Sequence, residues 1–184
     1  EVFCACAASI APAQSKLSKN VKGCSERTHG IAYAGQAINQ GATAVLWEPT
    51  DEVVDMPEYC QTDDGSRQAY LFKINNLQQK IGQLAANFYD DPSQDMQVIG
   101  VTGTNGKTSV TNFIAQILTE NDKICGLIGT LGNGIYGKIS ASSHTTPDAI
   151  SIQRLLQEIK MDQAETVVIE VSSHALHQHR VADV

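Results

Sequence analysis

Val98-Ile-Gly-Val-Thr-Gly-Thr-Asn-Gly-Lys-Thr-Ser109 runs through the middle of the chain. The apolar run Val98 to Val101 reads as a buried strand. A glycine-rich turn follows from Gly103 to Gly106, and Lys107-Thr108 opens a segment with apolar residues at Val110, Phe113, Ile114, Ile117 and Leu118. That spacing is the stripe of an amphipathic helix. Strand, glycine turn, Lys-Thr and helix together make a phosphate cradle. Backbone N–H groups and the helix N-terminus face the anion, Lys107 neutralises outer phosphates, and the Thr108 hydroxyl can hold Mg²⁺. The standard phosphate loop has a glycine five residues before its second glycine; here that position is Val101. The bland reading is an incidental Gly-rich turn, and the flanking strand and helix argue against it.

Outward from this loop, strands alternate with helices, which predicts an α/β fold with a mainly parallel sheet. Upstream, Val2 to Ala8 reads as a strand, and a further partner strand ahead of it is an expectation. Ser9 to Gly30 reads as a long polar loop carrying Lys16, Lys19 and Lys22. A helix over Ile31–Gln40 ends at Gly41, and strands follow at Ala44–Trp47 and Tyr70–Ile74, with loop over Glu48–Gln68. Asn75 or Asn76 caps a helix with Leu77, Ile81, Leu84, Ala85 and Phe88, and Asp90-Asp-Pro92 reads as a linker. The expected domains are thus 1–90 and 91–184. Downstream, Lys123–Ile128 reads as a strand and Gly129–Gly137 as a turn-rich excursion. Thr146 reads as the N-cap of a helix carrying Ile152, Leu155, Leu156 and Ile159, with Pro147 at its first position. Thr166–Val171 reads as a buried strand.

The 184 residues carry 42% hydrophobic content and a net charge of −7. The acidic balance argues against nucleic acid or an anionic membrane as partner, so phosphate recognition has to be local. Of the five cysteines, Cys4 and Cys6 share a strand face while Cys24, Cys60 and Cys125 are scattered. Without zinc or redox spacing they read as reduced thiols of a cytoplasmic protein. No signal peptide or bilayer-length apolar run is present.

Glu170, at the C-terminal end of its strand, lies where ligands of open α/β sheets gather and can complete the Mg²⁺ site begun by Thr108. The alternative is a carboxylate that merely ends a strand. Ser172-Ser-His-Ala-Leu-His-Gln-His-Arg180 admits three readings. One is zinc on His174, His177 and His179, although on a helix only the first two share a side. Another is a solvated helix start. The third is a substrate site with Arg180 for an anion and Ser172 and Gln178 for hydrogen bonds. Thr145 and Thr146 serve a helix start, which is also an anion site.

Three blocks line up in order: Thr102-Gly-Thr-Asn-Gly-Lys-Thr108, Thr145-Thr-Pro-Asp148 and Glu170-Val-Ser-Ser-His-Ala-Leu-His-Gln-His-Arg180, with Gly129-Thr-Leu-Gly-Asn-Gly134 between the first two. The first resembles the ATP loop of the Mur ligases and of the folylpolyglutamate synthases. All three together resemble the Mur ligases, and among them the members acting on UDP-N-acetylmuramoyl-L-alanyl-D-glutamate. The resemblance is close over 97–184 and looser over 1–90. It implies a small N-terminal α/β domain for the uridine nucleotide, over 1–90, followed by part of a P-loop-type central domain, over 91–184.

The implied activity is an ATP-dependent ligation of peptidoglycan precursor synthesis. The D-glutamyl side-chain carboxylate is phosphorylated, and the amine of a diamino acid, meso-diaminopimelate or L-lysine, attacks the acyl phosphate. Thr102, Gly103, Thr104, Asn105, Gly106, Lys107 and Thr108 would hold ATP, with Lys107 as the catalytic positive charge. Thr108 and Glu170 would hold Mg²⁺, and Thr145, Thr146, Ser172, Gln178 and Arg180 would contact the UDP-linked substrate. His29-Gly30 stands where the family often has Asp-Gly, so uridine contacts in 1–40 are unassigned. The family continues beyond Val184 through a modified lysine and a C-terminal domain selecting the diamino acid. The expectation is a fragment of a monomeric enzyme that does not complete ligation alone. The competing expectations are another Mur or folylpolyglutamate-type ligase, and a nucleotide-binding module without chemistry.

Overall fold

The computed structural model describes residues 2–5, 30–51, 55–62, 65–142 and 144–184. The readings made on Cys6 to Ala8, on the Ser9–His29 loop with its three lysines, and on Cys24 lie outside the described residues. The chain divides into two compact units, Glu1–Gln78 and Gln79–Val184.

In the first unit β1 (Val2–Ala5), β2 (Ala44–Trp47) and β4 (Gln68–Lys73) run parallel, and β3 (Tyr59–Gln61) pairs antiparallel to β4. The spatial order is β1-β2-β4-β3. A 3-10 turn, Gly30–Tyr33, leads into helix α1 (Ala34–Asn39). Ile31, Ala34 and Ile38 pack against Val45, Trp47, Ala69 and Leu71. Period-3.6 and period-2 apolar positions meet there, the usual way a helix stripe covers a sheet face. The guanidinium of Arg67 donates to the Asn39 carbonyl at 2.9 Å, satisfying the end of α1. β3 falls inside the stretch read as loop. Three residues on a sheet edge, close to prolines and acids, carry too little alternation to be read as a strand.

Helix α2 (Leu77–Phe88) begins at the division. The second unit contains β5 (Gln97–Val101), β6 (Cys125–Gly129), β7 (Gly132–Ile135), β8 (Lys138–Ser140) and β9 (Thr166–Glu170). Their order is β5-β9-β6-β7-β8. β5, β9 and β6 are parallel, while β7 and β8 add as antiparallel strands. The α/β reading holds; the three parallel strands are extended by β7 and β8 because the Gly129–Gly137 stretch, read as a turn-rich excursion, folds back as β7.

Helices α3 (Lys107–Glu120) and α4 (Ala149–Met161) cover opposite faces of this sheet. Alternation along β9 sorts the two cores. Val167 and Ile169 pack with Ile152, Leu156 and Ile159 of α4, whereas Val168 packs with Ala115 of α3. α3 corrects its expected stripe. Val110, Phe113 and Ile117 are exposed, while Ile114, Ala115 and Leu118 pack on the sheet. Five apolar positions span more of the helix than one sheet face can take, and the side bearing the small residues Thr111 and Ala115 gives the closest approach. β5 is only partly buried, because among the described strands it lies at the sheet edge. No helix among the described residues is long and apolar enough to cross a membrane.

Cys125, at the start of β6, is buried, and burial pushes its thiol from an ordinary 9.0 up to about 11. Unfolding exposes a thiol that ionises earlier, so its contribution to stability is full below pH 9 and is lost as the pH rises toward 11. The urea midpoint is therefore expected to fall across that window more steeply in the native chain than in Cys125→Ala; parallel profiles would contradict this.

Candidate functional site

The C-terminal ends of β5, β9 and β6 converge, and the candidate residues meet there. β5 ends at Val101, Thr102 to Gly106 form an exposed loop, and α3 starts at Lys107. Gly106 sits at φ +79 at the helix N-cap, a left-handed conformation that strains a side chain there. The loop and the N-terminus of α3 thus have the strand–turn–helix arrangement expected of an anion cradle. The ammonium of Lys107 donates to the Gly103 carbonyl at 2.8 Å, which holds it along the loop.

Thr108, in the first turn of α3, is tied across the sheet to Glu170 at the end of β9. Its hydroxyl donates to Glu170 Oε2 at 2.9 Å. Below it, Thr111 Oγ1 and Asn112 Nδ2 donate to the Thr108 carbonyl at 3.0 and 2.8 Å, fixing the turn. Glu170 is 1% exposed, so its charge needs partners. The turn after β6 supplies them. Thr130 N–H donates to Oε1 at 3.0 Å and Thr130 Oγ1 lies 3.1 Å from Oε2. Gly129 permits this approach, since a Cβ there would lie 2.8 Å from Glu170 Cδ.

A buried carboxylate beside an exposed phosphate loop, with a threonine hydroxyl on one oxygen, is a hard-oxygen donor set. It fits Mg²⁺, which takes one or two protein ligands and completes its shell with phosphate and water. Among the described residues no group of three or more His, Cys, Asp or Glu is placed to hold a metal. α5 (Ser173–His177) ends before His179, which lies at φ +55 in the next turn, so the three histidines do not form one face.

The Thr145–Asp148 block corrects its expected role. The N-cap of α4 is Asp148, whose carboxylate accepts from Ser151 N at 3.0 Å and from Ser151 Oγ at 2.7 Å. Thr146 is not the cap; the Asp148 carboxylate holds that position. Thr146 is buried instead. Its hydroxyl donates to the Glu170 carbonyl at 2.7 Å and accepts from Ser172 N–H at 3.0 Å, pinning the end of β9 to the start of α5. Ser172 caps α5 by accepting from Ala175 N–H at 3.2 Å.

Arg180 returns to the same place. Its Nη1 donates to the Thr146 carbonyl at 2.7 Å, and Nε and Nη2 donate to Gln178 Oε1 at 2.9 and 2.6 Å. Among the described residues, three of the five guanidinium protons are used. Thr145 joins through Thr130, with the two hydroxyl oxygens 3.1 Å apart.

All the candidate residues outside the loop therefore form one network with Thr108. Sequence reasoning had passed over Thr130. The available signal was its position just after a strand neighbouring β9, at the same end of the sheet.

Residues 101–184 match the Mur ligase middle domain. The chain is 48% identical over 158 residues to the UDP-N-acetylmuramoyl-L-alanyl-D-glutamate--2,6-diaminopimelate ligase of Alkalilimnicola ehrlichii, covering 86% of this chain and 32% of that protein. It is 44% identical over 155 residues to the protein of the same name from Coxiella burnetii, covering 84% and 30%. A solved structure of a ligase with that name superposes with a TM-score of 0.65 at 28% identity, covering 84% of this chain and 29% of that one. The chain thus spans about a third of the length of the curated relatives it matches.

Proposed function

Residues 101–184 match the Mur ligase middle domain, and from that likeness we propose that the chain carries the nucleotide site and part of the acceptor site of an ATP-dependent peptidoglycan-precursor ligase of the cytoplasm. The acceptor is UDP-N-acetylmuramoyl-L-alanyl-D-glutamate and the added amino acid 2,6-diaminopimelate, as the relatives' names suggest. Residues 1–90 serve the uridine nucleotide and 91–184 serve ATP. The observation that carries this reading is the 2.9 Å bond from Thr108 on the loop helix to the buried Glu170 carboxylate.

Each residue has a role set by its chemistry. The Thr102–Thr108 loop and the α3 N-terminus bind the phosphates, and Lys107 exchanges its Gly103 contact for the outer phosphate oxygens. Thr108 and Glu170 would hold Mg²⁺, which supplies charge neutralisation at the transferred phosphoryl group when bound. Thr145, Thr146, Ser172, Gln178 and Arg180 orient the UDP-linked acceptor so that its D-glutamyl carboxylate reaches that group. Arg180 offers its guanidinium to an anion. Positioning and charge are what phosphoryl transfer to a carboxylate requires, so no protein nucleophile is needed.

Calorimetric titration of the chain with Mg²⁺ and a non-hydrolysable ATP analogue tests the reading. Micromolar to submillimolar binding is expected, weakened about thirtyfold in Lys107→Ala through loss of a charge-assisted phosphate contact. A folded chain that fails to bind the analogue, or a Lys107→Ala variant that binds equally well, would refute it.

A further inference from the structure

We propose that Thr130 is a positioning residue of the metal–nucleotide site: it holds the Glu170 carboxylate opposite Thr108 and joins that carboxylate to Thr145. This rests on the reading of Thr108 and Glu170 as the Mg²⁺ ligands and deepens it. The carboxylate is gripped from two elements. Thr108 reaches Oε2 from the loop helix, and Thr130 reaches Oε1 with its N–H and Oε2 with its hydroxyl from the β6–β7 turn. Gly129 is where that turn comes close enough to do so. Glu170 Oε2, which both hydroxyls reach, is the oxygen that Thr108 and a shared cation would have in common.

Thr130 Oγ1 lies 3.1 Å from both Glu170 Oε2 and Thr145 Oγ1 and can donate to either, but it has one proton. The carboxylate is the stronger acceptor, so that proton goes to Glu170 and holds Oε2 on the side of Thr108.

The test uses the whole chain and the ATP analogue, titrated with Mg²⁺ and again in EDTA. Thr130→Val keeps the N–H bond to Oε1 and removes only the hydroxyl. It is expected to lose about tenfold of the Mg²⁺-dependent gain in affinity, the scale of one charge-assisted hydrogen bond. Affinity in EDTA, set by the loop and Lys107, stays within about twofold, and Thr130→Ser restores the gain. Thr130→Ala, which adds no bulk, reads the same way should the valine variant fail to fold. A full Mg²⁺-dependent gain in Thr130→Val, or a serine variant as impaired as valine, overturns the proposal alone. Absence of any Mg²⁺-dependent gain in the unsubstituted chain overturns the metal site and the proposal together.

Discussion

Glu170→Gln is expected to abolish the magnesium-dependent part of ATP-analogue binding, a loss of about a hundredfold, while the chain stays folded. Glu170 is the carboxylate that Thr108 and Thr130 bond, and glutamine has its shape without its charge. Folding survives because the donors around it adapt. The glutamine carbonyl can accept from Thr130 N–H, which is the fixed donor, and the Thr108 and Thr130 hydroxyls can turn to accept from the amide. Stability should then stay within about 1 kcal/mol of the native chain.

Glu170→Ala is the harsher comparison. It removes the acceptor of the Thr130 N–H and opens a cavity where the buried carboxylate stood, costing about 2–4 kcal/mol. Urea unfolding and metal-dependent calorimetry on both variants separate the two effects. If Glu170→Gln retained the native magnesium dependence, Glu170 would be a structural carboxylate and the proposed metal site would be wrong.

Thr146→Val should lower stability by about 2–4 kcal/mol although the two side chains are nearly isosteric. Thr146 is 2% exposed and its hydroxyl serves two backbone groups, the Glu170 carbonyl and the Ser172 N–H. Valine fills the space and satisfies neither, and each buried orphan costs roughly 1–3 kcal/mol. The damage falls where β9 hands over to α5, so acceptor binding through Ser172 and Arg180 should weaken with it. Denaturant midpoints on the native and variant chains measure this; a change below about 0.5 kcal/mol would mean that water or a local shift satisfies both groups.

The legible parts of this molecule were those where local chemistry suffices. Val98 to Leu118 could be read as strand, turn and helix because a continuous apolar run and a period-3.6 pattern flank a glycine-rich turn. Glu170 could be singled out because a charged residue ends an apolar strand. Three features resisted reading for identifiable reasons. β3 is too short to show alternation. The stripe on α3 held more apolar residues than one sheet face can cover, so Val110, Phe113 and Ile117 were assigned to a core they do not enter. Thr146 and Asp148 are both good cap residues, and only the demand for a donor between the Glu170 carbonyl and the Ser172 N–H decides which of them caps α4.

The sequence by itself determined the α/β class and the strand, glycine turn and helix over Val98–Leu118, because each is written in spacing over a few turns of chain. Tertiary structure alone decided that Thr108, Thr130, Thr145 and Glu170 touch. Those residues are up to 62 positions apart, and which strand lies beside β9 is fixed by long-range packing of α3 and α4 on the two faces of the sheet, not by any local preference of the residues themselves.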